Sequence, residues 1–195
     1  REQFEKKWDD LKLFITFGMI TDEKFYERAE KFALFKNVDG KYFTFEEYEK
    51  LIKENQTDKN KTLIYLYTTN KVDQHSYIEE AKSRGYDVLM MDGQLDPHLI
   101  NALESKFKDS RFARVDSDVI EKIIVKEDRK EVALSTNEQN DLRAVFEGAV
   151  KSEDHYWISF EDLGENASPV VITHSEFMRR MKDMAAMSPT AGMYG

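Results

Sequence analysis

No cysteine occurs among the 195 residues, which excludes a disulfide framework and a thiolate zinc site and fits a reducing compartment. No segment approaches the ~20 apolar residues of a membrane span, and no signal peptide is visible, so a soluble, cytoplasmic protein is expected. A clustered positive field is missing as well. The net charge is −9 and the lysines are interleaved with acids, which disfavours nucleic acid and anionic membrane as partners. Neither a GxGxxG nor a Walker-type loop is present where Thr68-Thr69-Asn70-Lys71 follows an apolar run, so nucleotide binding is disfavoured there. His75, His98, His155 and His174 are scattered, without HxxxH spacing or a nucleophile motif beside them, and no metal or catalytic role is assigned to them. Asn60-Lys61-Thr62 and Asn166-Ala167-Ser168 match the glycosylation pattern, but without an export signal they read as chance matches.

What is present suffices for a core: 41% hydrophobic residues and 12% aromatics, in a chain long enough for one large domain or two small ones. Residues 61–93 organise the rest. TLIYLY at 62–67 is a nearly continuous apolar run, as in a strand covered on both faces. Residues 68–84 carry Tyr77, Ile78 and Ala81 at helical spacing with Lys82 and Arg84 in the last turn, and Gly85 supplies the stop. DVLMM at 87–91 reads as a second buried strand, which makes the two strands parallel neighbours with a right-handed crossover.

Upstream, Phe4, Trp8, Leu11 and Phe14 or Ile15 predict an amphipathic helix ended by Gly18, with Trp8 in the core. Thr21 is expected to cap a second helix carrying Phe25, Ala29 and Phe32, and Asp39-Gly40 to form a turn. Thr44 with Glu47 has capping-box spacing, Phe43 with Tyr48 the spacing of a hydrophobic staple, and Leu51 and Ile52 extend the buried face of a third helix. Downstream, Asp96 is expected to cap a helix whose first position is Pro97 and whose apolar face is Leu99, Ile100, Leu103 and Phe107; residues 112–115 give a third strand. Asp92 and Asp96 lie just past a strand end, where open α/β sheets often bind ligands, but capping and turn geometry account for both.

The predicted class is α/β. A three-helix segment (1–54) is followed by a small αβα sandwich with a mainly parallel sheet (55–115). After a charged boundary (116–135) comes a partial α+β C-terminal unit (136–195). That unit opens on a capping box at Ser135 or Thr136 and a helix bearing Leu142, Val145, Phe146 and Ala149; strands are expected at 156–160 and 169–172, with Trp157 facing outward. Thr173 with Glu176 forms another capping box and Ile172 with Phe177 another staple, starting a helix near His174. On that helix Phe177, Met178, Met181, Met184 and Met187 spread over an arc of about 180°, wider than a core stripe needs. Methionine is flexible and polarisable and suits an adaptable peptide-binding face; packing against other helices is the plainer alternative. Because the chain starts at Arg1 inside an apparent helix and stops at Gly195 without a terminal element, a fragment is expected.

QFEKKWDDLKLFITFG, KNKTLIYLYT and YIEEAKSRGYDVLMMDGQLDPHLINAL, in this order, resemble the second half of the middle domain of the ninety-kilodalton heat-shock chaperone family, in its bacterial HtpG form. The match is most specific from Ile78 through Gly85 and Leu89 to Asp92 and Asp96. DLRAVFEGAV, SPVVIT and SEFMRRMKDMAAM resemble the opening of that family's C-terminal domain; its basic stretch before the first strand appears only loosely, as KLIKENQ. The resemblance implies an ATP-dependent chaperone that works as a homodimer on partly folded client proteins, with the piece itself free to be a monomer. By the same resemblance ATP and magnesium belong to an N-terminal domain, and an arginine assisting hydrolysis lies upstream of the helix that Glu2 begins. The dimerising helices lie beyond the last helix seen here, so this piece carries no cofactor or catalytic residue of its own. It also implies that the Met-rich helix contacts clients, through Phe177, Met178, Met181, Met184 and Met187; Trp157, expected to face outward, is a further candidate client contact. Two other readings stand beside it: a small α/β enzyme with its site at the strand ends near Thr68 and Asp92, and an inert spacer that only transmits motion.

Overall fold

In the computed structural model of the chain, residues 1–126, 132–150, 156–162 and 168–186 are described, without the side chains of 182–186. Two units are separable: Arg1–Lys126 together with the chain from Ile172 onward, and Glu127–Val171 between them.

The first unit begins with α1 (Glu2–Thr21) and α2 (Glu23–Ala29). Contrary to expectation α1 runs through Gly18, which serves packing instead: a Cβ there would lie 2.7 Å from the Phe25 ring. Asp22 rather than Thr21 caps α2, its carboxylate accepting the Phe25 N–H at 2.9 Å, while the Thr21 hydroxyl donates back to the Phe17 carbonyl. A hairpin that the helical reading passed over follows, β1 (Leu34–Lys36) paired antiparallel with β2 (Tyr42–Thr44). Gly40, at φ 77°, supplies the left-handed residue between its strands.

The α3 helix (Phe45–Gln56) starts on the predicted capping box, with Thr44 N–H to Glu47 at 2.9 Å and Glu47 N–H to the Thr44 hydroxyl at 3.3 Å. The Phe43 and Tyr48 rings of the predicted staple are 5.7 Å apart. Ile52 is buried, whereas Leu51 is 49% exposed and does not belong to the buried face.

The central sheet is parallel, in the order β4-β3-β5, built from β3 (Leu63–Thr68), β4 (Leu89–Met90) and β5 (Ser110–Arg114). Every residue of β3 is buried. Leu63, Tyr65 and Tyr67 face one core and Ile64 and Leu66 the other, the period-2 alternation of a strand covered on both sides. The α4 helix (His75–Ser83) covers the Ile64 face with Ile78 and Ala81, and Gly85 at φ 77° ends its turn. Residues 68–74 are outside the helix, so its start lies later than predicted.

On the Tyr65 face, α5 (Asp96–Lys106) buries Leu99, Ile100 and Leu103. An aromatic cluster fills the same core, with Phe35 and Phe45 centroids 4.4 Å apart and Tyr65 stacked on Phe112 at 4.7 Å. Asp96 is the first helical residue rather than the cap. Its buried carboxylate accepts the Gly93 N–H at 2.9 Å and the Lys12 ammonium at 2.6 Å. Residues predicted to open a charged boundary instead complete the Ile64 core, where α6 (Ile120–Ile123) inserts Ile120 and Ile123.

In the second unit α7 (Thr136–Ala149) begins on the expected capping box, with Ser135 N–H donating to Glu138 at 2.8 Å. No α7 residue is buried. Residues 156–162 and 168–172 form no strand, although strands were predicted over 156–160 and 169–172. Alternation alone cannot hold a strand pair in water without an apolar surface to cover it. Arg143 donates to the Ile158 carbonyl at 2.7 Å and lies over the Phe160 ring.

Candidate functional site

The last helix, α8 (Glu176–Ala186), returns to the first unit. Its first residue does not reach back to Thr173 as a capping box would require. The Glu176 carboxylate instead points to the adjacent carboxyl ends of β3 and β5, where Tyr67 and Arg114 are register partners. It accepts the Tyr67 hydroxyl at 3.0 Å and the Arg114 N–H at 3.2 Å.

Arg179 and Arg180, three and four residues on, lie over the same carboxylate at 2.6 and 2.7 Å. Arg180 also grips Glu104 of α5 through both terminal guanidinium nitrogens, at 2.7 and 3.0 Å, and donates to the Phe112 carbonyl at 2.8 Å. Glu104 in turn accepts the Phe112 N–H at 2.7 Å, so one carboxylate ties helix, strand and α8 together. Arg179 is buried against the Tyr67 ring and donates to its hydroxyl. Burial would raise the Glu176 carboxyl, but the two guanidiniums outweigh it and hold it below its ordinary value. Burial and the Glu176 charge push the Tyr67 hydroxyl well up, so it stays a neutral donor.

With this face turned inward, Phe177, Met178 and Met181 face solvent, 68%, 66% and 55% exposed. Residues 177 and 178 each lie one turn from 181, so the three form one stripe. Met184 lies on the same helix, but its side chain is outside the described residues, as is Met187 altogether. Trp157 belongs to the second unit and is 92% exposed. From sequence Glu176 is read only as a capping-box partner of Thr173, and Arg179, Arg180, Tyr67 and Glu104 are given no site role. Their signal was there in the spacing of a glutamate with arginines three and four residues later, which sets both guanidiniums over one carboxylate.

At the β3 end named for an enzyme reading, the polar groups are engaged with one another. Thr68 is fully buried and donates to Gln74 at 2.5 Å; Gln74 donates to Asp116, which Arg114 also holds. Residues 172–176 lie over this edge through His174 N–H to the Asp116 carbonyl at 2.9 Å and the Tyr77 hydroxyl to the Ile172 carbonyl. The chain's own segment thus lies over the carboxyl ends of β3 and β5, part of the edge where open α/β sheets take ligands. Asp92, just after β4, is exposed beside Lys12. Among the described residues no group of histidines and carboxylates could hold a metal ion, and His155 lies outside them. No helix among them is long and apolar enough to cross a membrane.

The family model described as "Hsp90 protein" matches residues 1–189. The chain belongs to the Hsp90 family. It is similar to the HtpG chaperone protein of Bacteroides fragilis strain YCH46, with 54% identity over 197 aligned positions covering 100% of this chain and 29% of that protein. The HtpG protein of Porphyromonas gingivalis is 48% identical over the same shares, and that of Bdellovibrio bacteriovorus 28% over 78% of this chain. Among solved structures, the middle domain of a heat shock protein of Plasmodium falciparum superposes with TM-score 0.46 at 20% identity, covering 60% of this chain and 49% of that one. This Hsp90-family chain spans 29% of the length of the HtpG proteins it matches best among these.

Proposed function

We propose that this chain is part of an ATP-dependent molecular chaperone, where it contacts partly folded client proteins and couples an ATPase domain to a dimerisation domain. The observation that carries the reading is the arrangement of α8, with its charged face seated on the sheet and Phe177, Met178 and Met181 turned to water. A helix held this way presents deformable apolar side chains at little further ordering cost, which favours binding of many sequences at modest affinity. Met184 and Met187 are assigned to the same client contact by the family resemblance, and Trp157, exposed in the second unit, is assigned as a second apolar contact. The longer protein would supply ATP, magnesium and the dimer contacts in a cytoplasmic setting, and this segment would have no catalysis of its own.

The test is a titration with a permanently unfolded client, reduced and carboxymethylated α-lactalbumin, read by fluorescence anisotropy. Changing Met178 and Met181 together to Gln should weaken binding about tenfold, as removal of two apolar anchors implies, with circular dichroism unchanged. Undiminished binding by the folded variant would remove α8 from the client surface and leave the segment as a coupling element.

A further inference from the structure

A cavity of about 390 Å³ opens between α1, β1 and the loop that follows β4, lined in part by Trp8, Phe35, Met91 and Leu99. That volume lies at the small end of the range for small-molecule sites, enough for one ring-bearing molecule and too little for a helix. Its polar groups are unequally matched. Asp9 at the mouth holds Lys36 at 2.6 Å, and Asp96 holds Lys12 at 2.6 Å. Asp92 reaches Lys12 only at 4.0 Å, with its side chain 56% exposed. The rim therefore carries one carboxylate more than its ammonium groups engage closely, above apolar walls.

We propose that this cavity binds a small amphipathic cation, a molecule with one aromatic or similarly compact apolar body and a primary ammonium end. The apolar body would displace water from the Trp8 and Met91 walls, and the ammonium would pair with Asp92 at the mouth, leaving the Lys12–Asp96 pair in place. A carboxylate of the same shape would meet Asp92 as a like charge.

Three probes of one shape separate these contributions: 4-phenylbutylamine, 4-phenylbutanol and 4-phenylbutanoate. The chain has two tryptophans, and only Trp8 lines the cavity, so the two indole N–H signals in a proton–nitrogen NMR spectrum give a reporter and an internal control. The amine should shift the Trp8 signal saturably and leave Trp157 in place. It should bind about fivefold tighter than the alcohol, the gain expected of one exposed ion pair. Asp92→Asn should bring the amine to within about twofold of the alcohol and leave alcohol binding unchanged. A general attraction by the net charge of −9 would survive that substitution, and its survival would overturn the assignment to Asp92. So would equal binding of amine and carboxylate, or no saturable movement of the Trp8 signal up to about 10 mM of any probe, a concentration corresponding to only weak affinity.

Discussion

Replacing Arg180 by Ala removes the guanidinium that joins Glu104, Glu176 and the Phe112 carbonyl. The two side chains of the Arg180–Glu104 pair are 23% and 24% exposed, so solvent screens them only in part. Hydrogen bonds to charged groups contribute ~1.5–3 kcal/mol each. Here the loss is smaller than a sum over bonds, because Glu176 keeps Arg179 and Glu104 keeps the Phe112 N–H. We therefore expect about 2 kcal/mol off the seating of α8, or roughly a 30-fold rise in its opening equilibrium. A helix of 11 residues is marginal by itself, so undocking should expose its amides. Native-state hydrogen exchange is the assay, with β3 amides reporting the stability of the lobe. The α8 amides of Arg180→Ala should exchange about 30-fold faster while β3 is unchanged. As a comparison, Lys50→Ala removes a pair whose side chains are 72% and 77% exposed and should alter exchange by no more than about twofold. An α8 rate in Arg180→Ala within about threefold of the unmodified chain would refute the argument that this pair seats the helix. The depressed Glu176 carboxyl adds a pH signature. Its contribution is present above its unfolded value of about 4.3 and is lost as pH falls through the lower folded value, so α8 should loosen in acid.

Neighbouring positions on α3 should respond oppositely to truncation. Ile52→Ala should cost ~2–4 kcal/mol in urea unfolding and Leu51→Ala under ~0.5 kcal/mol, because one is 1% and the other 49% exposed; similar losses would mean that α3 is rotated from the face described. Asp87 is raised chiefly by burial, which its contacts with Asn37 and Tyr48 only partly offset. A raised carboxyl favours the folded state most below its unfolded value of about 3.9 and costs stability as pH rises through the folded value. The urea midpoint should therefore fall relative to that of Asp87→Asn as pH rises from about 4, and parallel profiles would show that burial does not tax this carboxylate.

The parts of the fold that could be read in advance are those whose cause is local. The run at 62–67 announces a two-sided strand because burial on both faces leaves no polar position, and it is found one residue later as β3. Thr44 with Glu47 and Ser135 with Glu138 start helices because the partners sit three residues apart whatever lies beyond. Gly18 was misread for the opposite reason: a glycine that admits the Phe25 ring is indistinguishable in sequence from one that ends a helix. The hairpin of β1 and β2 was hidden because its strands are too short to show alternation. For α8 the exposed stripe followed from the helical period, but the seat did not. Nothing local indicates that Glu176 lies against Tyr67, and the local rule for a glutamate three residues after Thr173 suggested a cap instead.

That seat spans long sequence distances. Glu176 meets Arg114 across 62 positions and Tyr67 across 109, whereas β3, α4 and β4 follow one another directly. Loop closure grows only slowly in cost, by ~0.6 kcal/mol per doubling of length, but it must be met before the contact gives anything back. The anchors Tyr67 and Arg114 also come side by side only when β5 has paired with β3. Docking of α8 is therefore expected late in folding and its release early in unfolding, the helix taking its fixed orientation on a lobe whose sheet is already complete.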